Sequence, residues 1–485
     1  MNDPEKHTRY QSQYKPNDFF WGIGIENETY LQFTKAKTHT VMSIYNNHKP
    51  ERYSVNYFSG LNPEYNDLLK ALFPISNSAH ALAVLSDSDP ELIQCYDIPY
   101  YINSHTLQKT DISGNHETTY EKVPKPNPKF KGQTIHEFLL NVNPKIFKDK
   151  YKVNYIYDGD TVEFMTQNFY KTTVKQNVNE LITEKTKYLE AINEVFKKYD
   201  IFTEYGPLIY PQKNEPFVSF LTNSNNIAIF NNGTIHLNFT MPTQLDSNNR
   251  PLNPSKFVMD HKSAIRYIQY LEPLIIPLYG SPDPFSAVSL HYSKASQRCA
   301  VSRYIGIGTY NTEEMQTGKI LTIDTKDALA SNKDYWWYTQ YTKTTHYNPL
   351  QKIGVDINFN KHGTHGIEIR FLDWFPEIML EPLMVFFVNV MDYSLQNGLP
   401  EDPTICPIWN GLVVKMLQIG KTAILSSEEY NMYTNLFNLD EPNWLSCLPK
   451  FQQNENDTNI TIAMMYEKIV NKLKHVKGPC RRYML

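Results

Sequence analysis

The sequence predicts an α+β fold, with a sheet that carries helices on one side. Short segments with the two-residue alternation of strands lie between longer segments of helical spacing. They do not follow the regular strand–helix–strand rhythm of a parallel sheet. From about Pro376 onward, the patterns are mainly helical. Together these observations favour one mixed sheet-and-helix architecture with a helical C-terminal part.

The composition is that of a globular protein of 485 residues with a net charge of −4. Such a charge provides no basic field for nucleic acid, so no nucleic-acid partner is expected. The most apolar run, LMVFFVNVM, is too short to span a bilayer, and the polar N-terminus predicts no secretion signal. Five cysteines without C-x-x-C spacing indicate neither a disulfide framework nor a zinc site. We therefore expect a soluble protein of the cytoplasm, with no membrane partner.

The first strand is predicted in WGIGIENETYLQF, after a flexible arm over residues 1–18. Because side chains alternate along a strand, Glu26 and Glu28 share one face with two glycines. Glycines at such positions let another group approach closely. Two carboxylates about 7 Å apart on one face repel each other unless a divalent cation binds between them. A solvent-facing edge strand with ordinary surface acids is the alternative.

The elements that follow are predicted from the same patterns. A loop covers Thr110–Thr134, which is rich in proline, glycine and charge. A strand covers Asp160–Phe164, and an amphipathic helix follows at Val174–Tyr199. The segments GTIHLNFTMP and HGIEIRFLDW are strands, separated by a helix near Asp260–Leu278.

Each of the later strands has a polar face opposite an apolar one. Glu163 opposes Val162 and Phe164 in the strand DTVEFMT. His236 and Asn238 share a face of TIHLNF, and Glu368 and Arg370 share a face of GIEIRFLD. Taken singly, such a histidine is typical of a hydrogen-bonded core, and such an E-x-R pair is typical of a local salt bridge. As a set, they suit Mg²⁺ or Mn²⁺ beside a phosphoryl or carboxylate group.

A basic segment lies between the predicted central helix and the last strand. Lys294, Arg298 and Arg303 stand there among serines and glycines, without a Walker or Rossmann spacing. This composition suits phosphate or carboxylate binding, and a structural loop with surface arginines is the alternative. Cys299 in the same segment is interpreted as a packing residue.

In chain order, these motifs resemble the glutamate-cysteine ligase branch of the glutamine synthetase superfamily. The resemblance covers most of residues 21–377 as scattered motifs: G-x-E-x-E, an acidic middle strand, a strand histidine, the basic segment and E-x-R. It implies a curved, mainly antiparallel sheet that forms a funnel-like active site with helices packed outside. It also implies a catalytic domain over residues 19–435, with the loop at 110–134 as a lid, and a helical extension over residues 436–485.

The resemblance further implies the roles of the polar residues. The implied ligands of Mg²⁺ or Mn²⁺ are Glu26, Glu28, Glu163, His236 and Glu368. Arg370 and Arg298 would act on the transferred phosphoryl group, and Arg303, Lys294 and Asn238 would bind ATP. A further ligand is left open among Asp158, Asp160 and Glu64, so the number of metal ions is open too.

The implied activity is an ATP-dependent carboxylate–amine ligase that joins glutamate and cysteine through an acyl phosphate. Its partners would be small molecules, namely amino acids and ATP, while the oligomeric state stays open. A ligase or kinase of the same superfamily with another acceptor is one alternative. A noncatalytic structural or binding protein is another, and the cost of burying so many charges unpaired argues against it.

Overall fold

The computed structural model describes residues 18–34, 101–102, 135–147, 154–158, 161–198, 206–211, 233–248, 250–282, 294–296, 309–311, 316–320, 357–359, 366–439 and 457–485. The strands in these ranges are β1 (Phe19–Thr29), β2 (Leu31–Phe33), β3 (Tyr101–Ile102), β4 (Tyr155–Asp158), β5 (Thr161–Met165), β6 (Leu208–Ile209), β7 (Thr234–Gln244), β8 (Thr309–Asn311), β9 (Gln316–Ile320), β10 (Ile357–Phe359), β11 (Ile367–Asp373), β12 (Ile424–Ser426) and β13 (Asp457–Thr461). The α-helices are α1 (Ile135–Val142), α2 (Pro144–Phe147), α3 (Val174–Lys197), α4 (Pro254–Tyr279), α5 (Leu380–Asn397), α6 (Pro407–Ile419), α7 (Ser427–Phe437), α8 (Ile462–Leu473) and α9 (Pro479–Met484).

The main sheet has six strands in the spatial order β10-β11-β7-β1-β5-β4, and every pairing in it is antiparallel. Among the described strands, β10 and β4 are its edges, so the sheet is open. β1 and β7 are long central strands of 11 residues each. The mixed α+β class with an antiparallel sheet is therefore confirmed.

Helices cover one face of the main sheet. The apolar positions of the strands, such as Ile25, Leu237 and Ile369, are buried in one hydrophobic cluster with α3, α4 and α5. α3 begins with a capping box, in which Thr173 accepts from the backbone of Gln176 and the Gln176 side chain accepts from the backbone of Thr173. This capping fixes the start of the helix that lies behind β1.

The C-terminal helices belong to the same hydrophobic cluster as the sheet. Asp392 of α5 accepts hydrogen bonds from the backbone of Cys480 and Arg481 at the start of α9, at 2.8 and 2.7 Å. Tyr483 of α9 stacks on Trp21 at the beginning of β1, with ring centroids 4.9 Å apart. The last residues are thus packed against the first strand.

Within the described residues, one helical segment, Glu377–Asn397, is long and apolar enough to cross a membrane, and it contains the run LMVFFVNVM that was predicted to be too short. Of its most apolar stretch of 18 residues, 67% is buried inside the protein, which is typical of the core helix of a soluble protein. The described cysteines, Cys406 and Cys480, are both free thiols, and burial raises the pKa of Cys480 well above its usual range.

Most predicted elements are present, with differences at their ends. α4 begins six residues before the predicted Asp260, because Asn253 caps it and Pro254 occupies its first turn. The pairing of β12 with β13 was not predicted within the helical C-terminal part. α7 crosses the predicted domain boundary at residue 435. Residues 1–17 of the predicted arm and the loop at 110–134 lie outside the described residues.

Candidate metal centre on the polar face of the sheet

Strand register brings the predicted acids of distant segments onto one face of the main sheet. Glu26 of β1 is the pairing partner of His236 of β7. In the next row, Asn238 of β7 is paired with Gly24 on one side and with Glu368 of β11 on the other. Since paired residues point to the same face, these side chains lie together, opposite the helices.

Glu26, His236 and Glu368 form a cluster whose potential ligand atoms all lie within 4.8 Å of one another. In octahedral coordination by Mg²⁺, adjacent ligand atoms are about 3 Å apart and opposite ones about 4 Å. His236 Nδ1 and Glu26 Oε2 are 3.2 Å apart, which fits adjacent positions. The other two distances are at most 4.8 Å. The residues present therefore fit a divalent metal ion.

Thr234 supports the histidine from the neighbouring position of the same face. Its Oγ1 lies 3.4 Å from His236 Nε2, the ring nitrogen that points away from Glu26. A ligating histidine commonly uses its second nitrogen in this way, since the hydrogen bond fixes the ring orientation. His236 is buried, with 2% of its surface exposed. The ring is thus held in place from both sides.

Glu28 and Glu163 form a second acidic pair beside this cluster. They are direct partners in the pairing of β1 with β5, and both are buried. Side chains directly opposite in an antiparallel pair have Cβ atoms about 5 Å apart, so two carboxylates there repel each other. All five predicted metal ligands consequently lie on one face of four adjacent strands.

Arg370, which the resemblance places on the transferred phosphoryl group, forms an ion pair with Glu368. Its Nη1 donates a hydrogen bond to Glu368 Oε1 at 2.8 Å, in the local E-x-R ion pair that the sequence left as the alternative. Together with the contact between His236 and Glu26, this pair shows that the charges have protein partners. The prediction that these charges lack partners unless a ligand binds is therefore wrong.

The glycines beside the acids accommodate a side chain of the protein itself. A Cβ atom at Gly22 or Gly24 would overlap the ring of Phe169, which is buried. The close approach predicted from the glycines is thus made by this ring. Phe169 thereby covers the part of the polar face next to Glu26.

The residues predicted to bind ATP are only partly described. Asn238 is half-buried and adjoins the cluster through its pairing with Glu368. Lys294 is exposed, and its backbone packs against Gly420. It forms no hydrogen bond or ion pair with a described acid of the polar face. Arg298 and Arg303 lie outside the described residues.

Asp373, at the end of β11, was not selected from the sequence. It is fully buried, and its carboxylate accepts a hydrogen bond from the Ser296 hydroxyl at 2.5 Å and one from the backbone of Ser281. This contact ties the start of the basic segment to the strand that carries Glu368. Of the candidates for a further ligand, Asp158 ends β4, while Asp160 and Glu64 lie outside the described residues.

A buried network lies behind the acids, on the helix side of β1. Lys185 of α3 donates to Asn27 Oδ1 at 2.5 Å and forms a short ion pair with Glu377. Asn27 in turn donates to the backbone carbonyl of Thr234 at 3.2 Å. Burial lowers the pKa of Lys185, although Glu377 partly opposes this. The network joins β1, β7 and the segment after β11 directly behind the candidate site.

These features define a class: an α+β protein with an acidic and histidine-containing cluster on one face of an open antiparallel sheet, opposite the helices. The uncharacterized protein R704 of Acanthamoeba polyphaga mimivirus is 42% identical to the chain over 424 residues, which cover 87% of this chain and 71% of that protein. The chain therefore belongs to the same family as this viral protein. No protein-family model and no solved structure match the chain.

Proposed function

We propose that the protein is an ATP-dependent carboxylate–amine ligase of the glutamate-cysteine ligase type. In this proposal, the polar face of the main sheet is the wall of a funnel-like site of the glutamine synthetase kind. It holds Mg²⁺ or Mn²⁺ and the phosphates of ATP, with glutamate and cysteine as the amino-acid substrates. The proposal places the protein in the cytoplasm, in keeping with its free thiols.

The observation that carries the proposal is the convergence of Glu26, His236 and Glu368 from three neighbouring strands. Glu28 and Glu163 add two further carboxylates on the same face. Oxygen ligands with one imidazole suit Mg²⁺ or Mn²⁺ better than softer metals. Carboxylates in this number are also what a site needs to hold metal ions that share the phosphates of a nucleotide.

The chemistry follows from the instability of the activated acid. The γ-carboxylate of glutamate attacks the terminal phosphorus of ATP, and ADP leaves. The amine of cysteine then attacks the acyl carbon, phosphate leaves, and the amine loses a proton. Catalysis of the first step is mainly positioning and charge neutralisation, to which bound metal ions contribute. The second step requires that water be excluded, because water would hydrolyse the acyl phosphate.

The ion pair between Arg370 and Glu368 gives the arginine a specific place in this proposal. When Glu368 binds metal, its charge is shared with the cation and the guanidinium becomes available to phosphoryl oxygens. Arg370 is partly exposed on the same face as Asn238. Arg298 and Arg303, both in the basic segment, remain candidates to bind the carboxylate of the acceptor.

The same ion pair favours a second candidate, a noncatalytic protein that retains this fold. Glu368 is paired with Arg370, and Glu26 is hydrogen-bonded to His236. Such contacts stabilise the face without a ligand, so the acids do not by themselves require a metal ion. A ligase or kinase with another acceptor is the third candidate, since the cluster says little about the amine.

The deciding experiment measures phosphate release from ATP by the purified protein with Mg²⁺ and L-glutamate, with and without L-cysteine. We expect release that depends on cysteine, with formation of γ-glutamylcysteine, and its loss in Glu28→Gln. Glu190→Gln, an exposed acid on α3, is the matched control and should keep full activity.

The outcomes separate the candidates. Release that depends on glutamate and on another amine would reject cysteine but keep the ligase. Phosphoryl transfer without any amine would favour a kinase of the same superfamily. Failure to bind either ATP or Mg²⁺ would leave the noncatalytic protein.

A further inference from the structure

A cavity of about 950 Å³ lies in the helical layer, between the end of α5, the end of α7 and the helix α8. Three lysines and a histidine line it: Lys468, Lys472, Lys477 and His475. Three asparagines, Asn397, Asn438 and Asn471, also line it, and none of the lining residues is acidic. We call this cavity the basic cleft. Its lining residues come from the helical layer, so it is distinct from the candidate metal centre.

The positive charges of the basic cleft are concentrated. Lys468 and Lys472 are four residues apart on α8 and share one face of that helix, where like charges repel. His475 continues the same face just after the helix ends. Among the described residues, Lys472 and Lys477 make no ion pair. An anion bound in the cleft would relieve this repulsion.

Stabilisation of the helix explains part of this pattern but not all of it. Lysines in the last turn of a helix interact favourably with its C-terminal carbonyl groups, and Lys472 occupies that turn. Lys468 lies more than a turn earlier, and Lys477 lies four residues after Leu473, the last helical residue. Burial lowers the pKa of Lys468, whose ammonium lies 5.6 Å from the centre of the Tyr430 ring. The protein thus places a cation partly out of water at this site.

We propose that the basic cleft binds a small ligand with two or more phosphate groups. Several lysines around one cavity provide point charges for phosphate oxygens, and asparagine amides provide additional hydrogen bonds. The volume lies in the range of small-molecule sites, about 300 to 1,000 Å³. The chain as a whole has a net charge of −4, so no broad basic field extends along which a nucleic acid would lie.

The test is isothermal titration calorimetry of the full chain with tripolyphosphate at low salt, in the presence of EDTA. EDTA removes divalent metal, so the candidate metal centre does not contribute. We expect one saturable site, with an affinity at least about tenfold weaker in the triple variant Lys468→Gln, Lys472→Gln and Lys477→Gln. The control is Lys175→Gln, Lys197→Gln and Lys198→Gln, which removes three exposed charges from α3 and its C-cap and should not change the affinity.

Several results would overturn the proposal. The first is the absence of saturable binding at millimolar tripolyphosphate. The second is an equal loss of affinity in both triple variants. The third is a loss of affinity in Glu368→Gln while the variant of the three cleft lysines binds as the wild type does. Affinity that rises with the length of an oligonucleotide, without binding of tripolyphosphate, would instead assign the surface to nucleic acid. ATP and pyrophosphate, titrated in parallel, distinguish a nucleotide from an inorganic polyphosphate. Because EDTA is present, the result does not depend on whether the ligase assignment holds.

Discussion

At the scale of single residues, Glu368 has two competing partners. It forms an ion pair with Arg370 at 2.8 Å, and it lies in the cluster that fits a metal ion. An arginine close to a carboxylate weakens metal binding, because both cations compete for the same oxygens. Binding of a metal ion would therefore change the contacts of Arg370 as well. A metal ion bound to Glu368 would thus act on Arg370, the residue that the sequence indicated as catalytic.

The acidic pair Glu28–Glu163 leads to a prediction about stability. Two negative charges separated by about 5 Å, the spacing of the Cβ atoms in such a pair, repel each other by roughly 3 kcal/mol at an effective dielectric constant of about 20. Glu163→Gln should therefore keep or raise the melting temperature in EDTA, and it should reduce the stabilisation gained from Mn²⁺. Differential scanning fluorimetry with and without Mn²⁺ measures both, with Glu190→Gln as control. A large loss of stability in EDTA would instead assign Glu163 to structural pairing.

His261 leads to a prediction about pH. Met241 N–H donates to its Nε2 at 3.0 Å, and its Nδ1 lies 2.7 Å from the carbonyl oxygen of Phe257, so the folded protein holds the neutral ring. Burial lowers the pKa of His261 to about 4. The unfolded chain protonates near pH 6.5, so stability present above that pH is lost as the pH falls to about 4. The loss is about 3 kcal/mol.

Urea unfolding between pH 7 and pH 4.5 measures this effect. His261→Gln should flatten the pH dependence, while His475→Gln, which changes an exposed histidine, should leave it unchanged. An equal pH dependence in the wild type and in His261→Gln would contradict the account of this histidine.

At the scale of elements, β1 joins the two layers of the protein. Its polar face carries Glu26 and Glu28, and its opposite face carries Asn27, which accepts a hydrogen bond from Lys185 of α3. Lys185 is 3% exposed, whereas its partner Glu377 is 35% exposed. Removing Lys185 and removing Glu377 should therefore change the free energy of unfolding by different amounts.

We predict that Glu377→Gln destabilises the protein more than Lys185→Met does. The first leaves a buried ammonium without its counter-charge, a change that costs about 3 to 5 kcal/mol. The second leaves a carboxylate that water reaches. Urea unfolding of both single variants and of the double variant gives the coupling between the two sites. Equal losses in the two single variants would show that the ion pair does not control the stability of this region.

The sequence predicted which residues lie on the polar faces of the strands, and it missed contacts between residues that are far apart in the chain. Alternation along β1, β5, β7 and β11 placed Glu28, Glu163, His236 and Glu368 correctly on polar faces, because the period of two is local. It could not show that Phe169 fills the space above Gly24, or that Ser296 contacts Asp373. Those contacts join residues far apart in sequence. The ion pair of Arg370 with Glu368 was among the sequence alternatives, and it is present.

At the scale of the whole molecule, the carboxylate cluster and the basic cleft lie in different layers. The polar face of the main sheet carries carboxylates, whereas lysines line the basic cleft in the helical layer. The low net charge of −4 conceals this division, which is visible only when the chain is folded. A metal ion and a polyphosphate would thus bind at two separate sites, in layers that share one hydrophobic core.

We expect the polar face of the sheet to bind a divalent metal ion. The most direct test is electron paramagnetic resonance of Mn²⁺ titrated into the full chain, compared with Glu26→Gln and Glu368→Gln. The account predicts saturable binding in the wild type that is at least about tenfold weaker in each variant, since each loses a charged ligand. Equal affinity in all three proteins, or no bound Mn²⁺ at millimolar concentration, would contradict it.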